Sequence, residues 1–432
     1  MIIGREDIQF SSGDEFYDFV YRNDLYGIIQ LKEPILDTAG VMLVKERVSL
    51  NENIIRKISN MEGRYISILK ALITPQLVDK LAVRISKEAQ DIVSQKNTFI
   101  NHLYDKSPNG GGNYKAIIEK SCYTPKITLY LFKLFSEKRA FFNYIMGNGL
   151  LSLGTMLQTD SNLKNLQRYT FLAGMLSDLC LVDTNYWNEG DTNGEQIAKI
   201  CKISSNLLEK LGISVIVRTA LSEVNLDALH IESDYPLLIE PGSIDPNKGY
   251  LKDLELFRNF EEMETEKIDE KEYRKLIDSI TDAIKISKYI QVLSKRFAGY
   301  DNANELLILS FAYNTEKGYF SKQIGDIMID SFKQYDGVVK KVRKIAEIEN
   351  MCLFKDSAWA YPRTEPAQIL CKNKEYKCKY VETGWDICIV SEKEAMGYVG
   401  MKLLPGIYPK CALESNLDVL YDNRVKPKVE RK

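Results

Sequence analysis

Apolar residues at helical spacing run through more than half of the chain, from Tyr114 to about Ile348, and this pattern limits the possible folds most. A capping-box sequence at Thr192–Glu195 predicts the start of one helix, and Asp269 with Glu272 predicts the start of another. The sequence therefore predicts a mainly α fold with a helical bundle as its core. We expect eight apolar residues to share its interior: Leu172, Leu176, Leu179, Leu207, Leu208, Leu211, Ile280 and Ile284.

The N-terminal part has a different pattern. Tyr26–Leu31, Val41–Val44 and Arg64–Leu69 are short runs of β-prone residues, which predict three strands. Helical spacing predicts a helix at Leu50–Met61 and a longer one from Thr74 to Leu103. This mixture indicates a small α+β domain that ends in a linker helix.

The clearest interruption of the helical pattern is Lys106–Asn113, which contains a proline and three consecutive glycines. We therefore predict an N-terminal α+β domain with its linker helix at 1–105, a flexible linker at 106–114, a helical domain at 115–348 and a C-terminal extension at 349–432. The extension is predicted to contain β-strands at Gln368–Lys379 and Trp385–Ser391.

Charge and hydropathy exclude several classes of protein. The chain has 58 basic and 60 acidic residues and a net charge of −2, so bulk electrostatics do not favour nucleic acid. No apolar run approaches the ~20 residues of a membrane span. The first ten residues lack the basic region and apolar core of a secretion signal. We expect a cytoplasmic protein with no membrane span and no nucleic-acid partner.

Residues that commonly bind metal ions are scarce. The only histidines are His102 and His230, and histidine is the usual ligand of transition metals and the usual general base near neutral pH. Four of the eight cysteines lie near the C-terminus: Cys371, Cys378, Cys388 and Cys411. Their spacing is unlike the short knuckles of structural zinc sites, so buried cysteines on strands are favoured over zinc.

Five segments of the helical part follow one another in the same order as the motifs of a known family. They are Phe171–Asp178, Ile197–Ser214, Ser233–Pro236, Ala283–Leu293 and Lys317–Phe320. In this order they resemble the HD-GYP domain of bacterial cyclic di-GMP phosphodiesterases: the helix with its His-Asp pair, the helix with its His-Pro pair, the GYP loop, the late helix with a metal-binding aspartate, and the closing segment. The resemblance covers about residues 115 to 345 and implies an HD-GYP-like helical bundle.

The resemblance also implies a cluster of histidine and aspartate side chains around two or three iron-like ions, and most of these ligands are missing here. Ser177 stands at the position of the motif histidine, and only Asp178 is kept. Leu181 replaces the motif lysine. The family's His-Pro pair corresponds to Ile200 and Cys201.

The remaining positions of the motif are degenerate in the same way. The family's first histidine ligand corresponds to Asn143 or Tyr144, two alternatives that the sequence leaves open. No histidine lies in Val215–Ala228, where the family has another, and Lys288 stands at the late aspartate. The GYP sequence corresponds to Asp234, Tyr235 and Pro236.

We therefore expect a non-catalytic protein that holds no metal and no cofactor. Leu181 and Ile200 should fill much of the former metal pocket, and an Asp178–Lys288 ion pair should close the remainder. The hypothesis is a bacterial binding or scaffolding protein in cyclic di-GMP signalling, with a protein partner and with cyclic di-GMP as a second candidate ligand. Two alternatives stay open: an active phosphodiesterase with unusual metal ligands, and a protein–protein adaptor that binds no nucleotide.

Overall fold

The protein is described by a computed structural model. It describes residues 2–351, except 5, 62, 64, 66–67, 96–97, 108–113, 123–124, 160–164, 185, 190–193, 227–243, 255–268, 298–299 and 301–302, and it also describes 402–403 and 429–430. The fold of these residues is mainly helical with small antiparallel sheets, as predicted. The chain divides into two compact units, 1–332 and 333–432. The predicted C-terminal strands and the four C-terminal cysteines lie outside the described residues.

The N-terminal part combines strands and helices. Its elements are β1 (Ile2–Ile3), β2 (Asp7–Phe10), α1 (Gly13–Arg22), β3 (Ile35–Leu36), β4 (Met42–Val44), α2 (Glu52–Asn60), β5 (Leu69–Leu72), α3 (Pro75–Val93) and α4 (Phe99–Asp105). The first sheet has the antiparallel order β1-β2-β5, and β3 pairs with β4. Ile8 lies opposite Ala71 in the register, and both are fully buried. The sheet thus contributes one apolar face to the core.

Of the strands predicted for this part, the one at Arg64–Leu69 overlaps β5 only at Leu69, and two further local predictions were wrong. Tyr26–Leu31 forms a turn that ends in isolated bridges and not a strand, because Gly27 adopts a left-handed conformation with φ +75°. The single helix predicted from Thr74 to Leu103 is two helices. Thr98 starts the second one, since its hydroxyl oxygen accepts a hydrogen bond from the amide of Asn101 at 3.1 Å.

The helical part continues as predicted. Its elements are α5 (Tyr114–Ser121), α6 (Pro125–Glu137), α7 (Arg139–Leu157), α8 (Leu166–Leu176), a 3₁₀ turn (Leu179–Leu181), α9 (Tyr186–Glu189), α10 (Gly194–Leu208), α11 (Val215–Ser222), α12 (Gly249–Lys252), α13 (Glu270–Arg296), α14 (Ala303–Glu316) and α15 (Lys322–Met351). In the second unit, β6 (Lys402–Leu403) pairs with β7 (Val429–Glu430). None of the helices in the described ranges is both long and apolar enough to cross a bilayer.

The centre of the helical part is the packing of α7, α8, α11 and α13. All eight apolar residues predicted to share one interior are buried in a single core, so that prediction is confirmed. Helices α7 and α8 approach closely at Gly174, where an added Cβ would lie 2.6 Å from the Cβ of Ser152 and 2.9 Å from the carbonyl oxygen of Asn148. This close approach brings the end of α8 against the middle of α7.

The N-terminal helices pack directly on the helical part. Helix α3 contacts α5, α6 and α7, and α4 contacts α7. Leu103 is fully buried, and the hydroxyl of Tyr104 donates to the carbonyl of Leu150 at 2.9 Å. The described residues before and after the predicted linker at 106–114 belong to the same compact unit.

Candidate functional site

The site forms where α8 ends. Helix α8 stops at Leu176, and the next two residues are Ser177 and Asp178, which the sequence resemblance places at the family's His-Asp motif. Ser177 turns its hydroxyl back onto the helix, where it donates to the carbonyl of Gly174 at 2.8 Å. Asp178 is 3% exposed. The serine therefore closes the helix end, and the aspartate is the residue of the pair that faces other helices.

The carboxylate of Asp178 is the centre of a buried polar cluster. Its Oδ2 forms an ion pair with the ammonium of Lys288, from α13. The same oxygen accepts hydrogen bonds from the hydroxyl of Tyr144 at 2.5 Å and from the amide of Asn148 at 2.8 Å, both from α7. The predicted ion pair is therefore confirmed, and two neutral donors share the charge of the carboxylate.

The two residues that the sequence resemblance places at the family's first histidine ligand have different surroundings in the structure. Tyr144 contacts Asp178, whereas Asn143 is exposed one residue earlier on the helix. Burial raises the pKa of Tyr144 well above its usual 10, and the nearby negative charge of Asp178 acts in the same direction. Tyr144 therefore stays protonated at physiological pH, and its hydroxyl donates a hydrogen bond to the carboxylate.

Two residues of the cluster were missed by the sequence analysis. Gln291 donates from its amide to Oδ1 of Asn148, which is 2% exposed. Helical spacing is a signal that could have found both. Asn148 lies four residues after Tyr144, and Gln291 lies three residues after Lys288, so each shares a helix face with a residue already singled out.

A cavity of about 390 Å³ lies over this cluster. Leu181 and Ile200, at positions that are polar in the family, are 3% exposed and form part of its wall. The other residues of the wall, besides Asp178 and Lys288, are Thr98, Phe99, Ile100, Tyr144, Leu151, Tyr186, Trp187, Ile197, Ile290, Gln291, Val292, Ser294 and Lys295. Apolar side chains thus cover the site as expected, but they do not fill it.

The cysteines near the site lie in the core. Cys201, which follows Ile200 in α10, is fully buried, as is Cys180. Burial raises the pKa of each thiol to about 12. Each thiol therefore stays protonated at neutral pH and is neither a ready metal ligand nor a nucleophile.

Within the part of the chain that is described, no three side chains of histidine, cysteine, aspartate or glutamate come together as a candidate metal site. The position beside Asp178 is taken by the ammonium of Lys288. Asp234, Tyr235 and Pro236, the residues that correspond to the family's GYP sequence, lie outside the described residues, as does His230.

Comparisons with known proteins identify no relative. The chain matches no protein-family model, and no curated protein or solved structure is significantly similar to it. The site is therefore interpreted from its own geometry: a buried ion pair beneath a mainly apolar cavity. This arrangement is suited to holding a small molecule.

Proposed function

We propose that this chain is a non-catalytic relative of the HD-GYP phosphodiesterases and acts as a binding or scaffolding component in bacterial cyclic di-GMP signalling. One observation carries the proposal. Asp178, the one residue kept from the His-Asp pair, is ion-paired with Lys288, which stands where the resemblance puts a metal-binding aspartate. At this position, an aspartate that would bind a metal ion is thus replaced by a lysine, whose positive charge would repel the ion.

Electrostatics explain why this exchange argues against metal-dependent hydrolysis. A divalent cation bound by Asp178 would lie within a few ångströms of the Lys288 ammonium, which is 4% exposed and therefore poorly screened. Two unit charges at ~4 Å repel by about 4 kcal/mol even at an effective dielectric constant of ~20. Three donors already compete for this carboxylate, since its Oδ2 accepts from Tyr144, Asn148 and Lys288.

A chain that turns over no substrate acts through what it binds, so we extend the proposal to a protein partner in the bacterial cytoplasm. The surfaces we favour are the segment Asn225–Lys252, of which residues 227–243 lie outside the described residues, and the regions that flank the helical part. Cyclic di-GMP is the small-molecule ligand that the family resemblance suggests for such a protein.

Metal analysis is the first test of the proposal. The protein should be purified without chelators from cells grown with added iron and manganese, and its metal content measured by elemental analysis. We expect no stoichiometric metal, because Lys288 occupies the position beside Asp178. A content of about two ions per chain, the number used by two-metal hydrolases, would overturn the proposal.

Calorimetric titration with cyclic di-GMP, followed by analysis of the recovered nucleotide, separates the proposal from its alternatives. Binding with recovery of intact nucleotide supports it. Hydrolysis by the purified protein would favour the active phosphodiesterase. The absence of binding would favour the adaptor that has lost nucleotide recognition.

A further inference from the structure

We propose that the cavity over the Asp178–Lys288 pair binds a small uncharged lactam, a fused two-ring aromatic compound with a ring N–H next to a carbonyl. The inference goes beyond the signalling role proposed above and does not depend on it. Three features carry it: an unpartnered carboxylate oxygen in a buried residue of the cavity, an ammonium with unused donors beside that oxygen, and the aromatic side chains around both.

The acceptor is the second carboxylate oxygen of Asp178. The hydrogen bonds that this carboxylate accepts from Tyr144, Asn148 and Lys288 all end on Oδ2. No group within the described residues donates to Oδ1. Asp178 is 3% exposed and lines the cavity, and its Oδ1 is not completely sealed by other protein atoms. Because this oxygen has so little contact with bulk water, a ligand N–H that donates to it forms a hydrogen bond at little desolvation cost to the protein.

The donor beside this acceptor is the ammonium of Lys288. An ammonium has three N–H donors, and the described part of the chain provides one acceptor for them, Oδ2 of Asp178. Lys288 also lines the cavity. Because the ammonium contacts one oxygen of the carboxylate while the other oxygen has no partner, a donor and an acceptor lie side by side. The carbonyl and the N–H of a lactam are adjacent in the same way, so they can pair with both groups at once.

The charges of the buried pair favour an uncharged ligand. Asp178 and Lys288 are in direct contact and neutralise each other. An anion placed on them would meet the carboxylate, and a cation would meet the ammonium. The third charged residue of the wall, Lys295, is already engaged, since its Nζ donates to the carbonyl of Trp187 at 3.2 Å. A charged ligand would therefore lose its hydration without gaining an unpaired counter-ion at the pair.

The wall around the pair suits a flat ring system. Four aromatic side chains from three helices line it, namely Phe99 on α4, Tyr144 on α7, and Tyr186 and Trp187 on α9. The rings of Tyr144 and Trp187 lie 5.5 Å apart between centroids. The volume of about 390 Å³ is in the lower part of the range of small-molecule sites, about 300 to 1,000 Å³. Aromatic walls favour planar rings that can stack or pack edge to face, so a fused two-ring compound fits both the size and the lining.

Isothermal titration of the full-length protein with 2-quinolone and coumarin tests the proposal. The two molecules share the fused rings and the carbonyl, and they differ in the ring N–H, which coumarin replaces with an oxygen. We expect 2-quinolone to bind about tenfold more tightly, because its N–H can donate to Oδ1 of Asp178 and the ring oxygen of coumarin cannot. Equal affinities, tighter binding of coumarin, or no binding of 2-quinolone would each overturn the proposal.

Charged two-ring compounds test the preference for an uncharged ligand. We expect 2-naphthoate and 2-naphthylmethylammonium each to bind at least about tenfold more weakly than 2-quinolone, because neither finds an unpaired counter-ion at the Asp178–Lys288 pair. Tighter binding of either charged compound than of 2-quinolone would overturn the proposal.

A double variant places the lactam at the buried pair. Asp178→Asn combined with Lys288→Met removes both charges and keeps side chains of similar size, and thermal melting shows whether the protein folds. A charge-assisted hydrogen bond is about twice as strong as a neutral one, so the tenfold preference for 2-quinolone over coumarin should fall to about threefold. Lys285→Met is the matched control, since Lys285 is on the same helix and is not among the residues that form the cavity wall. It should keep the full preference. An unchanged preference in the folded double variant, or its loss in the control, would overturn the assignment to the pair.

Filling the cavity gives an independent test that keeps the ion pair. Ile197→Phe and Leu181→Phe each add ring volume to the wall, and thermal melting shows which of them folds. Each folded variant should lose binding of 2-quinolone and of coumarin, and unchanged binding would overturn the proposed site. The nucleotide titration remains separate. A protein that binds 2-quinolone but not cyclic di-GMP retains this site and loses the signalling ligand, and the reverse result overturns this site alone.

Discussion

At the residue scale, the buried ion pair makes a direct prediction about stability. Lys288→Ala leaves the carboxylate of Asp178 buried at 3% exposure without its cation, so the free energy of unfolding should fall by on the order of 3 kcal/mol. Lys285→Ala is the control on the same helix. The Lys285 side chain is 20% exposed, and its ammonium lies 3.9 Å from Asp282 and donates to the carbonyl of Tyr319 at 3.4 Å, so its loss should cost less than the loss of Lys288, whose side chain is 6% exposed. Urea denaturation measures both.

A second substitution tests whether the unpaired charge is the cause. Adding Asp178→Asn to Lys288→Ala removes the carboxylate charge and should recover much of the lost stability. If Lys288→Ala leaves the denaturation midpoint unchanged, water reaches the carboxylate through the cavity and the pair contributes little.

The buried thiols predict how stability depends on pH. Burial raises the pKa of Cys122, Cys180 and Cys201 from the usual 9.0 to about 12. The folded protein therefore holds these protons at a pH at which the unfolded chain loses them. Their contribution is complete below about pH 9 and declines as the pH rises from about 9 towards 12, by about 1.4 kcal/mol per pH unit for each thiol.

Cys201→Val isolates one thiol from every other group that titrates in this range. The free energy of unfolding of this variant should decline less steeply above about pH 9, by about 1.4 kcal/mol per pH unit. Denaturation curves at several pH values give both slopes. Parallel slopes for the variant and the original protein would show that this thiol ionises equally easily in both states.

The sequence predicted a contact of the site only where a buried charge requires one particular kind of partner, an opposite charge. The Asp178–Lys288 pair was predicted because a lone carboxylate and a lone ammonium at matching positions of a helical bundle neutralise each other when buried. Asn148 and Gln291 were missed because amides have no such fixed preference, and their roles depend on a helix crossing that side-chain spacing does not specify. The cavity depends on how the surrounding helices pack, which local patterns do not determine.

At the scale of elements, the contact between α7 and α8 depends on the lack of a side chain at Gly174. A methyl group there would meet the Cβ of Ser152 and the carbonyl oxygen of Asn148, so Gly174→Ala should lower the free energy of unfolding by about 1 to 3 kcal/mol. Gly147→Ala on α7 is the matched control, because nothing lies within 4 Å of the added carbon. It should leave stability unchanged or raise it by up to about 1 kcal/mol. Equal effects in thermal denaturation would contradict this account of the helix contact.

Helices were predicted better than strands, because the signals that start a helix lie within its own sequence. The start of α13 follows from Asp269, whose carboxylate accepts from two backbone amides of the first turn, a signal present in the sequence itself. The break between α3 and α4 was missed, because Thr98 was read as one residue of a continuous apolar pattern and not as a cap. Strand β2 pairs with β5, which lies more than fifty residues later in the sequence. A pairing between such distant segments cannot be recognised from the residues of either strand alone.

At the scale of the whole molecule, the segment 106–114 was predicted as a boundary from its glycines, whereas the residues on both sides of it belong to one compact unit. The rings of Tyr104 and Tyr114 lie 4.8 Å apart between centroids, so the chain returns to the same core after the segment. Composition indicates where a chain can turn. It does not reveal whether the parts before and after the turn share a core.

This arrangement predicts that the two parts stay together when the connection is cut. A specific protease site inserted between Asn109 and Asn113 would allow one cleavage between α4 and α5. We expect the cleaved protein to elute in gel filtration at the position of the intact chain, because the contacts across the cut are extensive. They include the rings of Phe19 and Phe132, 5.7 Å apart between centroids, and the ion pair of Arg139 with Glu88, which is 7% exposed.

The same sample in urea supplies the control, since the two pieces must separate once the shared core unfolds. Their size confirms that cleavage was complete. After removal of urea, the pieces should reassemble and elute again at the position of the intact chain, because Leu103 and Tyr104 of the first piece are buried against the second piece, where the carbonyl of Leu150 accepts from the Tyr104 hydroxyl. Separation of the pieces in native buffer would mean that the contacts of α3 and α4 with the helical part are too weak to form one core. The boundary predicted from the sequence would then be the correct one.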